Sequence, residues 1–276
     1  MSNQYRPDFE KMVAERAAGL HQHILALPAD QQAAFQSDPK ALPAAIEAYA
    51  RENRVPMLFG PAKMAQAAAA LAAMPVPPRT LVEFGAYVGY SALRWVTLLE
   101  EVNKGGVGAD VHVYTFELDP ARAQIARDFA KAAGRASQIT VLEGPGDVSL
   151  SKLVTDGVLP PGSVDVVFID HWEPRYKPDL QLCESLGVLR VGSLIVADNT
   201  DYPGAPDYVA YVKNGGSGEP GAVKFETTSY DADSAPEPPQ KRIGGGFGGP
   251  GRPGGGGFGG SPSKIVEVTK VVSLGS

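Results

Sequence analysis

The sequence predicts an α/β fold: a doubly wound, mostly parallel sheet with helices on both faces, of the Rossmann-like kind, closed by an antiparallel C-terminal hairpin. Three observations predict it. Between residues 80 and 197, short apolar runs ending in a glycine or an acid alternate with segments of helical period, which is the pattern of successive βα units. Of the 276 residues, 43% are hydrophobic and 20% charged, enough for one large buried core. Two further strand-like stretches, 222–229 and 265–273, flank a Gly-rich segment near the C-terminus, as two antiparallel strands with an insertion between them would.

Taken in order, Phe9, Met12, Val13, Arg16, Leu20, Ile24 and Leu27 recur near helical spacing until Pro28. A second helix is expected over about 43–53, with Ile46 and Tyr49 on one face, and a third from Gly60–Pro61 to just before Pro75. The period then changes. Strands are expected at Thr80–Phe84, Val111–Glu117, Ile139–Glu143, Val164–Ile169 and Ser193–Ala197, and helices at Ser91–Glu101, Ala121–Ala133, Asp179–Leu189 and Asp207–Val212. The organisation read from this is a set of N-terminal helices over 1–75, a core over 76–242 and 263–276, and a disordered loop over 243–262. Glycine at that density leaves too little apolar surface to offset chain entropy.

Charge and composition exclude several classes. A net charge of −6 argues against broad duplex binding, which needs clustered cations; no nucleic-acid partner is expected. An Arg/Gly nucleic-acid segment would need more than Lys241, Arg242 and Arg252. No signal-peptide core and no run of membrane-spanning length occurs. With Cys183 alone, no intrachain disulfide can form. A cytoplasmic monomer is the expectation.

The stretch Glu83-Phe-Gly-Ala-Tyr-Val-Gly-Tyr-Ser91 follows the first strand and opens a helix. Gly85 and Gly89 would let backbone approach a ligand where ligands bind in doubly wound sheets, although a tight strand–helix turn would also use them. The second strand ends in Glu117, an acid able to accept hydrogen bonds from both ribose hydroxyls or simply a solvated strand end. Together they point to a nucleoside cofactor. Gly144, in Glu143-Gly-Pro-Gly-Asp147, should border the same crevice. Two more strands end in Asp170-His171-Trp172 and Asp198-Asn199. Carboxylates at neighbouring strand mouths repel unless a positive group lies between them. Two Asp and one Asn form a hard oxygen set suited to Mg²⁺ rather than Zn²⁺; the alternative is that both Asp cap the following helices. His171 is a possible metal ligand, and stacking or hydrogen bonding to the cofactor suits it better.

At these motifs, EFGAYVGYS (83–91), TFELDP (115–120), DHWEPRY (170–176), ADN (197–199) and YPGAPDYVAYV (202–212), with MLFGPAK (57–63) upstream, the chain resembles the catechol O-methyltransferase family. The resemblance implies that Glu83, Gly85, Tyr87, Gly89 and Ser91 line an S-adenosyl-L-methionine site. It implies that Glu117 holds the ribose, that Met57 and Phe59 lie near the cofactor, and that Trp172 packs on adenine. Asp170, Asp198 and Asn199 would hold Mg²⁺ together with the vicinal hydroxyls of a small catechol or phenolic substrate. Three departures stand out. The family's basic lysine is here Glu173, for which Lys177 and Lys63 are candidate substitutes. The aromatic flanking the family's substrate cleft is here Val55. The carboxylate facing the second hydroxyl has no clear counterpart, Glu226 and Asp231 being the nearest options. A methyltransferase for another phenolic or amine acceptor, or a cofactor-binding protein whose Gly-rich loop recruits a partner, are the competing readings.

Overall fold

The protein, described here as a computed structural model, is defined over residues 7–103, 110–234 and 263–275. The Gly-rich stretch 243–262, read from sequence as a disordered loop, lies outside the described residues.

The N-terminal helices form one packed layer. Helix α1 (Pro7–Leu25) buries Val13, Ala17, Leu20 and Ile24, the i, i+4, i+7, i+11 stripe of an amphipathic helix. Phe9, expected on that stripe, is exposed instead, one turn ahead of the packed segment. Helix α2 (Ala29–Ser37) was not legible in the sequence: it buries only Phe35, too little apolar periodicity to read. Helix α3 (Ala41–Asn53) ends where Arg54 turns left-handed at φ 54, and α4 (Pro61–Ala72) starts at Pro61 with Gly60 as its N-cap, as proline at the first helical position favours.

The sheet follows as β1 (Thr80–Phe84), α5 (Tyr90–Val102), β2 (His112–Glu117), α6 (Pro120–Ala132), β3 (Ile139–Glu143), α7 (Gly146–Thr155), β4 (Val164–Ile169), α8 (Tyr176–Ser185), β5 (Leu189–Ala197), α9 (Pro206–Lys213), β6 (Lys224–Asp231) and β7 (Ile265–Ser273). Strand order is β3-β2-β1-β4-β5-β7-β6. The first five strands pair in parallel and β7 runs antiparallel between β5 and β6. Both faces are covered. Leu81, Val113, Val166, Phe168 and Val196 pack under α1 and α3–α6, while Val82, Phe84, Phe116, Val167, Ile169 and Ile195 pack under α7–α9. Double coverage is why these strands read as unbroken apolar runs.

Two boundaries differ from the sequence reading. Helix α8 starts at Tyr176 rather than Asp179 and stops at Ser185, and Leu189 belongs to β5, not to the helix. The early start of β5 is carried by Ser193, whose hydroxyl accepts from Arg190 N (2.9 Å) and donates to Val164 O (2.7 Å). Helix α7 is not among the elements expected from the sequence, where Gly144-Pro-Gly precedes it. Its buried Ser149, Leu150 and Leu153 show the helical period only once the turn residues are set aside.

The chain leaves β1 for β2 on one side and reaches β4 on the other. That reversal places a crevice at the C-terminal ends of β1 and β4, where the acids singled out above collect.

Candidate active site

Strand β1 delivers Gly85, at φ +107, against the loop after β4. A Cβ there would lie 2.5 Å from the Asp170 carbonyl oxygen, so no side chain fits. The two loops are also tied by Asp170 N donating to Phe84 O (3.0 Å). At Gly89 a Cβ would lie 2.9 Å from the Ala126 Cβ on α6. Both glycines are therefore demanded first by protein packing on protein, a reason that sequence alone did not supply.

Glu117, at the end of β2, is almost fully buried and held in one orientation. It accepts from Tyr87 N (2.8 Å) and Asp119 N (2.9 Å), with Arg122 Nε 3.3 Å away. Burial raises its pKa, and the Asp119 N–H and the Arg122 charge oppose that. A carboxylate has about four acceptor positions, so further donors can still be received. Glu83, on β1, is completely buried, and its carboxylate oxygens have no hydrogen-bond partner. Burial pushes its pKa up to about 7, an effect only partly offset by the Ser91 and Thr115 hydroxyls.

Asp170 and Asp198 end adjacent parallel strands, with Ile169 opposite Ala197. Burial is the main cause raising both carboxyls; for Asp170 the Asp198 charge adds to it, while the Lys63 ammonium opposes the rise at both. Neither Asp serves as a helix cap. Asp198 Oδ1 instead receives Lys63 Nζ at 2.6 Å, and Asp170 Oδ1 receives Asn199 Nδ2 at 3.4 Å. Asn199 sits left-handed at φ 56, and its Oδ1 is buried with no partner. Two carboxylates and one orphaned amide oxygen make a hard donor set that fits a divalent ion such as Mg²⁺. Among the described residues no group of three or more His, Cys, Asp or Glu is arranged to hold a metal ion; the set here is two carboxylates and an amide oxygen, with the Glu173 charge felt at Asp170.

The loop from 170 to 176 is braced by charge. His171 Nε2 pairs with Asp179 Oδ2 at 2.7 Å, and its ring lies against Phe84 (5.5 Å) and Tyr176 (5.3 Å). Arg175 Nη2 donates to Asp147 (2.7 Å) and Asp179 (3.0 Å). His171 is thus committed to Asp179, a partner that the sequence reading missed; Arg175 and Asp179 stand one helical turn apart, which was the available signal.

The O-methyltransferase family profile matches residues 41–211. The chain belongs to the O-methyltransferase family. Bovine catechol O-methyltransferase is 33% identical over 236 residues, covering 84% of this chain and 78% of that protein. The mouse catechol O-methyltransferase is 34% identical over 202 residues, covering 73% and 69%. Among solved structures, an O-methyltransferase from Bacillus cereus in complex with SAH superposes with a TM-score of 0.53 at 16% identity, over 90% of this chain and 94% of that one. This protein is accordingly an S-adenosylmethionine-dependent O-methyltransferase of the class I, catechol O-methyltransferase-like kind. No helix among its described residues is long and apolar enough to cross a membrane.

The other residues singled out in this methyltransferase are placed unevenly. Tyr87, left-handed at φ 48, has a buried hydroxyl without a partner, and Ser91 is buried in the first turn of α5. Gly144, at φ +123, has open space where a Cβ would stand, and its N–H donates to Glu117 O (2.9 Å). Met57 (φ 64) and Trp172 are exposed, the latter by 61%. Phe59 is fully buried in a ring cluster with Trp95 and Phe168, and Val55 is also core; neither presents a surface to open solvent. Glu173 is half-buried, its pKa raised chiefly by burial and also by the Asp198 charge. Lys177 lies over the Tyr211 ring (5.4 Å), on the side of α9 rather than beside the acidic pair. Glu226 and Asp231 are exposed on the edge strand β6.

Proposed function

We propose that this enzyme transfers the methyl group of S-adenosylmethionine to one hydroxyl of a catechol-like small molecule, assisted by Mg²⁺. The observation that carries the reading is the convergence, at the mouths of β4 and β5, of the buried Asp198 and the partly buried Asp170 with the unpartnered Asn199 Oδ1, in the same crevice as the oriented Glu117 at the end of β2. The names of the relatives support the acceptor class.

On this reading Asp170, Asp198 and Asn199 would hold Mg²⁺, whose charge would lower the pKa of the acceptor hydroxyl and position the two vicinal oxygens. S-adenosylmethionine supplies an electrophilic methyl carbon on its sulfonium. The chain's own residues orient and exclude. Glu117, fixed by the Tyr87 and Asp119 N–H groups, has acceptor capacity left for the ribose hydroxyls. The exposed Trp172 ring packs on the adenine, and Gly144, Gly85 and Gly89 shape the backbone around it. Ser91 and Tyr87 line the methionine end, with Met57 at the rim and Phe59 supporting from the core. Orientation of the acceptor oxygen, methyl and sulfur in line then provides most of the acceleration. The acceptor proton passes to a Glu173 carboxylate oxygen, whose raised pKa makes it a better base than an ordinary glutamate. Lys63 is paired with Asp198 and Lys177 is turned onto Tyr211, so neither replaces it in that task.

The negative charge of Glu173 favours one second reading: an acceptor other than a simple catechol, a different phenol or an amine. The deciding experiment is methyl transfer to catechol with Mg²⁺ and with excess chelator, in the native enzyme and in Glu173→Lys. Metal-dependent product from the native enzyme upholds the catechol reading. Product from the lysine variant alone transfers the assignment to another acceptor.

A further inference from the structure

Lys63 stands where an isolated helix would not place it. It lies in the first turn of α4, which has no acidic residue, and the aligned peptide dipoles disfavour a cation at that end. Helical side chains lean toward the N-terminus, and from there Nζ reaches Asp198 Oδ1 at 2.6 Å, with the two side chains only 12% and 5% exposed. The partners are 135 residues apart in sequence. The neighbouring Asp170 is held by an amide, Asn199 Nδ2, not by a cation. One ammonium therefore contacts the buried Asp198 and acts by charge on the partly buried Asp170 beside it, and a buried charge left without its counter-ion is strongly destabilising.

We propose that Lys63 is the resident counter-cation of the Asp170–Asp198 site, and that its ammonium and a divalent ion compete for the Asp198 carboxylate. The inference rests on the Mg²⁺ reading above. The physical reasoning is a balance of charge. Without metal, Lys63 keeps the carboxylate pair tolerable in a buried setting and the fold intact. When a dication takes the same oxygens, the ammonium becomes a like charge nearby. Lys63 thus sets metal affinity below what the oxygen donors alone would give, and makes metal loading reversible.

The test is titration of the full chain with Mg²⁺ alone, at one fixed pH, by calorimetry, in native protein, Lys63→Met and Lys63→Arg. Loss of the ammonium should tighten Mg²⁺ binding about tenfold or more, whereas arginine, which retains the charge, should stay near the native affinity. In chelator the methionine variant should melt below native protein, and saturating Mg²⁺ should restore more of its melting temperature than it adds to the native chain. If Lys63→Met is unstable without metal, purification in Mg²⁺ followed by that melting comparison, together with Lys63→Gln, gives the same readout. Equal or weaker Mg²⁺ binding by the methionine and glutamine variants overturns the inference while leaving the metal reading intact. Absence of Mg²⁺ binding in every variant overturns both.

Discussion

Replacing Glu83 by Gln should change how the enzyme's stability depends on pH. Glu83 is completely buried, and its carboxyl is shifted from an ordinary 4.5 to about 7, with burial as the largest cause. Below pH 4.5 the folded and unfolded chains both hold its proton. Between pH 4.5 and about 7 the folded chain keeps a proton that the unfolded chain has released, so stability falls as pH rises; above about 7 the loss is complete. At ~1.4 kcal/mol per pH unit, that interval amounts to about 3 kcal/mol. Gln is close in size and stays neutral throughout, so it lacks this dependence. The assay is thermal unfolding of native protein and Glu83→Gln in chelator, without cofactor, at steps from pH 5 to pH 8. The variant should gain on the native chain with each step up to about pH 7 and level off above it, by roughly 5–10 °C in total for the ~2.5 kcal/mol that falls within the assayed range, at ~2–4 °C per kcal/mol. Parallel melting curves across the range would mean that Glu83 ionises like an exposed carboxylate, and the desolvation argument would fail.

Gly85→Ala should cost more than ~3 kcal/mol, because a left-handed φ and a contact of 2.5 Å with backbone coincide there. Gly144→Ala, which meets open space, should lose only the ~1–2 kcal/mol of its backbone conformation; chemical denaturation of the two variants separates these terms. Arg135→Met should destabilise by about 3–5 kcal/mol, since Arg135 Nη1 is 2.7 Å from Glu100 in a pair of side chains only 5% and 4% exposed; a change under 1 kcal/mol would show that Gln138 suffices as partner. Glu117→Ala should weaken S-adenosylmethionine binding by about tenfold or more, as expected for loss of a charge-assisted pair of hydrogen bonds, with calorimetry as the readout and circular dichroism as the check on folding.

Much of this protein was legible in its sequence, and the reason is locality. The central strands β1, β4 and β5 are mostly apolar and covered on both faces, so their burial is written into consecutive residues, and the acids that close β2, β4 and β5 fall at the ligand crevice because strand direction places them there. Helices α2 and α7 escaped notice because one buries a single aromatic residue and the other starts behind turn residues. What the tertiary structure alone decided is pairing. The commitment of Lys63 to Asp198, of His171 to Asp179 and of Arg175 to Asp147, like the need for glycine opposite the Asp170 carbonyl, depends on which distant groups meet in a low-dielectric interior. No periodicity encodes that choice, since a charged side chain selects its partner by distance and desolvation in the folded chain rather than by its place in the sequence.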